Sequence, residues 1–147
     1  MDPVAPLSED ELRQIYADTK TIAVVGMSGN PEKDAHEIPR YLQSQGYRII
    51  PVNPRGGELL GERVFTSLDE IEEPIDVVDV FRPSEEAADV ARAAVAVKPH
   101  VLWFQLDCES EEGVRIGQEA GLTVVWGRCM GATHRQLGLG PGPWQDS

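Results

Sequence analysis

Cysteine is scarce in this chain, and its spacing excludes whole classes of function. There are only two, Cys108 and Cys129, too few for a disulfide scaffold and without the C-x-x-C spacing of a metal or redox pair. The three histidines, His36, His100 and His134, are scattered and show no metal-ligand spacing. No apolar run approaches the roughly 20 residues of a membrane-spanning helix. Met1 to Asp10 is acidic and proline-bearing, with no apolar stretch of the signal-peptide kind. The expectation is a reduced, soluble, cytoplasmic protein. Positive charge is also in short supply, with 13 Lys and Arg against 25 Asp and Glu, a net charge of −12. Such a surface repels nucleic acid and anionic lipid at long range, so neither is an expected partner. An anionic ligand must then be attracted locally, by backbone N–H groups and a few basic residues.

What is present reads as one globular domain. Hydrophobic residues make up 41% of the 147 and charged residues 26%, an ordinary globular composition. The single domain is taken as residues 1–147, with the ends, about 1–8 and 138–147, as loosely ordered tails. The second of these tails, Gly138 to Ser147, is rich in Gly and Pro, and its Trp144 marks a possible attachment segment.

Ser8-Glu9-Asp10-Glu11 has the pattern of a capping box, followed by a short helix with Leu12, Ile15 and Tyr16 on one face. Thr21 to Val25 is a β-favouring run, apolar on both faces as a central parallel strand requires. The alternation then repeats. A helix carries Ile38, Tyr41 and Leu42 and stops at Gly46, with Pro39 tolerable only in its first turn. Further strands are expected at Tyr47 to Val52, Asp76 to Phe81, Val101 to Leu106 and Leu122 to Trp126, with a short one near Val64-Phe65. Helices are expected to start at Ser67, Pro83 and Ser110. This pattern predicts an α/β fold: a single Rossmann-like, doubly wound parallel sheet of about five strands with helices on both faces.

In such a fold a ligand binds beyond the carboxyl ends of the strands, where the strand order reverses. The informative residues are therefore those just after each strand. The first loop, Gly26-Met27-Ser28-Gly29-Asn30, has the small residues that let backbone N–H groups approach a phosphate at a helix start. Strand-to-helix glycine turns of this kind also occur in proteins that bind nothing there. Three missing patterns narrow the ligand. Ser28 and Pro31 break G-x-G-x-x-G, Asn53-Pro54 stands where an NAD site places an acidic residue, and no G-x-x-x-x-G-K-[ST] occurs. Nor is there a G-x-S-x-G nucleophile elbow.

The runs Thr21-Ile22-Ala23-Val24-Val25-Gly26-Met27-Ser28, Arg40-Tyr41-Leu42 and Gly46-Tyr47-Arg48-Ile49-Ile50-Pro51-Val52-Asn53-Pro54 resemble the small bacterial and archaeal CoA-binding proteins. These are stand-alone relatives of the N-terminal domain of the succinyl-CoA synthetase α-subunit. Asp76 to Arg82, Trp103-Phe104-Gln105 and Arg128-Cys129 continue the likeness in order. The resemblance implies a coenzyme A or acyl-CoA site. In it the Gly26, Met27 and Ser28 loop takes the diphosphate and Val52, Asn53, Pro54 and Arg55 line the nucleotide. Phe81 and Arg82 then flank the adenine end and Gln105 faces the pantetheine arm.

Lys33, Arg55 and Arg82 are basic residues near strand ends, suited to phosphate contact or simply solvated. Phe81 fits a core position equally well. Gln105 ends an apolar strand, where a buried amide must find partners. Cys129 with His134 suggests a nucleophile and base, or a thiol that forms a mixed disulfide with CoA; the blander reading is a small, partly buried hydrophobe. The leading expectation is a binding module that acts as carrier, sensor or partner subunit, with a protein partner or homo-oligomer possible and no reaction of its own in evidence. The alternatives are a CoA-linked thiol oxidoreductase or transferase using Cys129, and a different, NAD-type nucleotide binder.

Overall fold

The computed structural model describes residues 7–142. The chain opens with α1 (Glu9–Asp18), started by the expected capping box: Ser8 Oγ accepts the Glu11 N–H and the Glu11 carboxylate accepts the Ser8 N–H. Five parallel strands follow in one sheet: β1 (Thr21–Val25), β2 (Arg48–Val52), β5 (Val77–Val80), β6 (Val101–Phe104) and β7 (Thr123–Val125). Between β2 and β5 lies a small antiparallel hairpin, β3 (Glu58–Leu59) and β4 (Glu62–Arg63). The helices α2 (Asp34–Ser44), α3 (Ala87–Val97) and α4 (Glu111–Glu119) alternate with the strands, and α5 (Met130–Gln136) follows the last one. None of the described helices is long and apolar enough to cross a membrane.

The sheet order is β2-β1-β5-β6-β7. Phe65 adds a single parallel bridge to Val52 on the outer edge of β2. The strand expected near Val64-Phe65 thus shrinks to one residue, in the place where a Rossmann sheet carries its third strand. Strand residues alternate between two cores. Ala23, Ile50, Val52, Val78, Val80, Leu102 and Phe104 meet α3 and α4 through Ala87, Ala91, Ala94 and Val114. Ile22, Val24, Ile49, Val77, Val101 and Trp103 meet α1, α2 and α5 through Leu12, Tyr16, Ile38, Leu42 and Met130. Apolarity on both faces of the strand runs is what this double cover requires.

Helix α2 corrects one expectation. Pro39 lies in its second turn, not its first. A proline there lacks the N–H that would bond to the carbonyl four residues back, and its ring pushes that carbonyl outward. The carbonyl is Ala35's, and it accepts instead from the Ser28 N–H at 3.1 Å. A partner outside the helix therefore satisfies what the proline leaves open. The helix ends as expected at Gly46, whose φ of +99° closes the C-terminal turn; the Gly46 and Tyr47 amides bond back to Gln43 and Leu42.

The described part of the expected C-terminal tail, 138–142, makes two contacts with the domain. Leu139 packs against the second core and the Gly142 N–H donates to the Gln45 carbonyl at 2.7 Å. The remainder of the two expected tails, 1–6 and 143–147 with Trp144, lies outside the described residues.

Candidate functional site

The chain leaves β1 toward β2 on one side and then crosses to β5 on the other. The loops after β1 and β5 are thereby drawn apart at the carboxyl ends of two adjacent strands, the place where such sheets form a crevice. The strand ends are tied closely. Gly26 N–H donates to Val52 O at 2.9 Å, Phe81 N–H to Val25 O at 2.9 Å, and Gln105 N–H to Val80 O at 3.1 Å. At the floor, Gly26 has φ +87°, and a Cβ there would lie 2.6 Å from Arg82 Cδ and 2.8 Å from the Phe81 carbonyl oxygen. Only glycine fits that backbone and that space. The structure thus brings Gly26, Phe81 and Arg82 together.

Arg82 is half-exposed, and its guanidinium is held bidentately by Glu86, with Nε to Oε1 at 3.1 Å and Nη2 to Oε2 at 2.6 Å. The arginine in turn holds the Glu86 carboxyl below the usual carboxylate range. A carboxylate thus occupies the guanidinium fork, whose geometry suits carboxylate and phosphate alike. Lys33, the residue preceding α2, and Arg55, after β2, are exposed and form no salt bridge among the described residues.

Asn53 joins two loops. Its Nδ2 donates to the Met27 carbonyl at 2.9 Å and its Oδ1 accepts from the Arg55 N–H at 2.9 Å. An aspartate in its place has no donor for Met27, so the amide at this position has a structural reason. Val52 is buried beneath the loop, while Pro54 is exposed beside Arg55.

Within the first loop the amides are divided. Gly26 donates to Val52 and Ser28 to Ala35, so neither is open to a ligand. The amides of Met27 and Gly29 have no acceptor among the described residues, but Met27 is fully buried, so only that of the exposed Gly29 is open. Ser28 Oγ accepts from the Asn30 N–H at 3.0 Å, and the Ser28 carbonyl receives His36 Nδ1 at 2.8 Å. Read from the sequence, His36 is isolated; its partner sits eight residues earlier in a loop, which no helical spacing reveals.

Gln105 is 4% exposed and finds two partners. Its Nε2 donates to Asp79 Oδ1 at 2.6 Å, and its Oε1 lies 3.4 Å from the Met130 N–H at the start of α5. Asp79 is fully buried in β5, and its Oδ2 has no hydrogen-bond partner among the described residues. Burial pushes its carboxyl up to about 7, against the smaller lowering by Gln105. Sequence reading treated Asp79 only as part of a strand, although a lone carboxylate between Val78 and Val80 was its available signal.

Cys129 immediately precedes α5 and is partly buried. Burial pushes its thiol up, an effect only partly offset by hydrogen bonds from the Ala132 and Gly131 amides. Cys108 is likewise raised by burial. The Nδ1 of His134 pairs with the Tyr41 hydroxyl at 2.7 Å, and its ring packs edge-on against Tyr16, Tyr41 and Tyr47. Neither thiol is shifted toward its thiolate, and no hydrogen bond joins Cys129 to His134 among the described residues.

Comparison with known proteins identifies the family. The chain matches the CoA binding domain family over residues 20–135. It is 39% identical over 127 residues to the protein YneT of Bacillus subtilis, covering 86% of this chain and 94% of that one. It is 31% identical over 135 residues to the α subunit of the ADP-forming acetate–CoA ligase II of Pyrococcus furiosus, covering 83% of this chain but spanning only 30% of that subunit. A solved structure from Thermus thermophilus superposes with a TM-score of 0.86 at 41% identity, over 89% of this chain and 99% of that one. With most of its length matched by the family and by a relative covered almost throughout, the chain belongs to the CoA binding domain family.

Proposed function

We propose that this protein binds coenzyme A or an acyl-CoA in the crevice at the carboxyl ends of β1, β2, β5 and β6, as a carrier, sensor or partner subunit in the cytoplasm. The observation that carries the reading is the contact of Gly26 with Arg82 at the switch of strand order. It sets a side-chain-free backbone beside a guanidinium, a group suited to phosphate contact. In this reading the open amide of Gly29, with Ser28 and Lys33, receives the diphosphate, as loop amides beside a helix start do for anions. Val52, Asn53, Pro54 and Arg55 line the nucleotide, and Phe81 with Arg82 flanks its adenine end. Gln105 shapes the wall of the pantetheine arm through its bond to Asp79. The acetate–CoA ligase relative supports CoA as the ligand and a larger assembly as the setting.

The raised thiol of Cys129 and the engagement of His134 with Tyr41 favour binding over thiol chemistry. Asn53 bonds to Met27 and Arg55 and offers no carboxylate to a ribose diol, which favours CoA over NAD. Competition tests this. A fluorescent CoA analogue bound to the protein is displaced by CoA and not by equal NAD or ATP; displacement by NAD at equal concentration overturns the assignment.

A further inference from the structure

We propose that Pro39 and His36 are positioning residues for the ligand loop, together clamping both backbone groups of Ser28. The proposal rests on the CoA reading above for its purpose, and on helix geometry for its existence. Pro39 supplies no N–H, so the Ala35 carbonyl is not drawn into the helix ladder. The Ser28 N–H closes on that carbonyl at 3.1 Å. One residue further along α2, His36 Nδ1 lies 2.8 Å from the Ser28 carbonyl. A carbonyl oxygen only accepts, so Nδ1 carries the proton in this contact.

Ser28 is thus held at its amide by one residue of the first turn of α2 and at its carbonyl by the next. The residue after Ser28, Gly29, is exposed, and its amide has no acceptor among the described residues. The Ser28 carbonyl and the Gly29 N–H belong to one planar peptide unit, so holding that carbonyl fixes the direction of the open amide. The buried proline in the second turn weakens the helix that holds it, and in doing so frees the acceptor that orders the loop. A restored helix N–H at position 39 would pull Ala35 back into the ladder and release Ser28.

Pro39→Ala, His36→Ala and His36→Asn separate this from a merely structural role. Amide exchange is followed at Ser28 in the whole protein, alongside melting temperature and CoA titration. Pro39→Ala is expected to speed exchange at Ser28 and weaken CoA binding about fivefold, the loss of one net hydrogen bond, without lowering the melting temperature. His36→Ala weakens binding to a similar extent. His36→Asn, whose amide donates from near the Nδ1 position, restores most of it. Unchanged exchange at Ser28 in Pro39→Ala overturns the clamp. Wild-type affinity in both Pro39→Ala and His36→Ala, or affinity that only tracks melting temperature across the three, overturns its role in binding. A wild-type protein that binds no CoA overturns the function proposed above, while exchange at Ser28 still decides the clamp.

Discussion

The backbone of Gly26 lies directly against the side chain of Arg82, so close that a methyl group on Gly26 would meet Arg82 Cδ at 2.6 Å and the Phe81 carbonyl at 2.8 Å. One of those obstacles is a flexible side chain that can move; the other is backbone that cannot do so cheaply. With φ at +87°, an alanine here is strained as well as crowded. Gly26→Ala is predicted to lower stability by about 1–3 kcal/mol and to abolish CoA binding, as read by urea unfolding and by titration. Full binding in that variant would mean that the crevice floor is elsewhere.

The Arg82–Glu86 pair predicts opposite effects of its two members. Both side chains are more than two-fifths exposed, and an exposed pair of this kind contributes about 0–1 kcal/mol. Neither substitution should therefore change stability measurably. Arg82→Ala is predicted to weaken CoA binding about tenfold or more, through the loss of charge-assisted hydrogen bonds. Glu86→Gln leaves the fork free and is predicted to tighten binding modestly, about two- to threefold. Parallel titrations of the two variants check the sign.

Asn53→Asp tests the tie between the loops after β1 and β2. The aspartate has no hydrogen to give the Met27 carbonyl, and its charge would face that oxygen at the place where 2.9 Å now separates donor from acceptor. A stability loss of about 1–3 kcal/mol is predicted from the orphaned, repelled partner. The acidic residue is also predicted not to confer NAD binding, because the loop it disturbs is the one that would hold the pyrophosphate. Chemical unfolding together with NAD titration checks both statements.

Asp79 predicts a pH dependence. Its folded carboxyl is pushed up to about 7 by burial, from an ordinary value of 3.8. A raised value means that the folded state holds the proton where the unfolded chain has lost it. This group's contribution is therefore fully present below about pH 4 and is lost as pH rises through about 7. Asp79→Asn removes this slope, so the stability of the variant relative to wild type should rise across that interval, by on the order of 4 kcal/mol at most. Unfolding free energies of both proteins from pH 4 to pH 8 give the difference directly; parallel curves would contradict the account.

How much of this was legible in the sequence depended on the range of each interaction. The central strands announced themselves because Thr21 to Val25 and Val101 to Phe104 are apolar on both faces, as strands of a double-covered parallel sheet are, and each alternates with a helical segment. Ser8 and Glu11 were readable because a capping box acts over three residues. Helix α5 was missed, since Met130 to Gln136 is short, begins Met-Gly-Ala-Thr and carries no apolar period. The β3–β4 hairpin was missed too, as Glu58-Leu59 and Glu62-Arg63 have no alternation long enough to detect.

The site was legible in outline through Gly26, Asn53 and Gln105, each an unusual residue at the end of an apolar run. What those residues bond to was not. Asn53 reaches Met27, Gln105 reaches Asp79 and Ser28 reaches Ala35, and each of these partners is set by tertiary placement. Pro39 was misplaced for the same reason, since its compensating donor lies outside its own helix.

The central claim is that this crevice holds coenzyme A, and calorimetric titration of the reduced protein with CoA tests it most directly, with dephospho-CoA and NAD alongside. The account predicts saturable binding of CoA, no comparable binding of NAD, and a clear weakening in Arg82→Ala. No heat of binding at millimolar CoA, or equal binding by the wild type and Arg82→Ala, would contradict it.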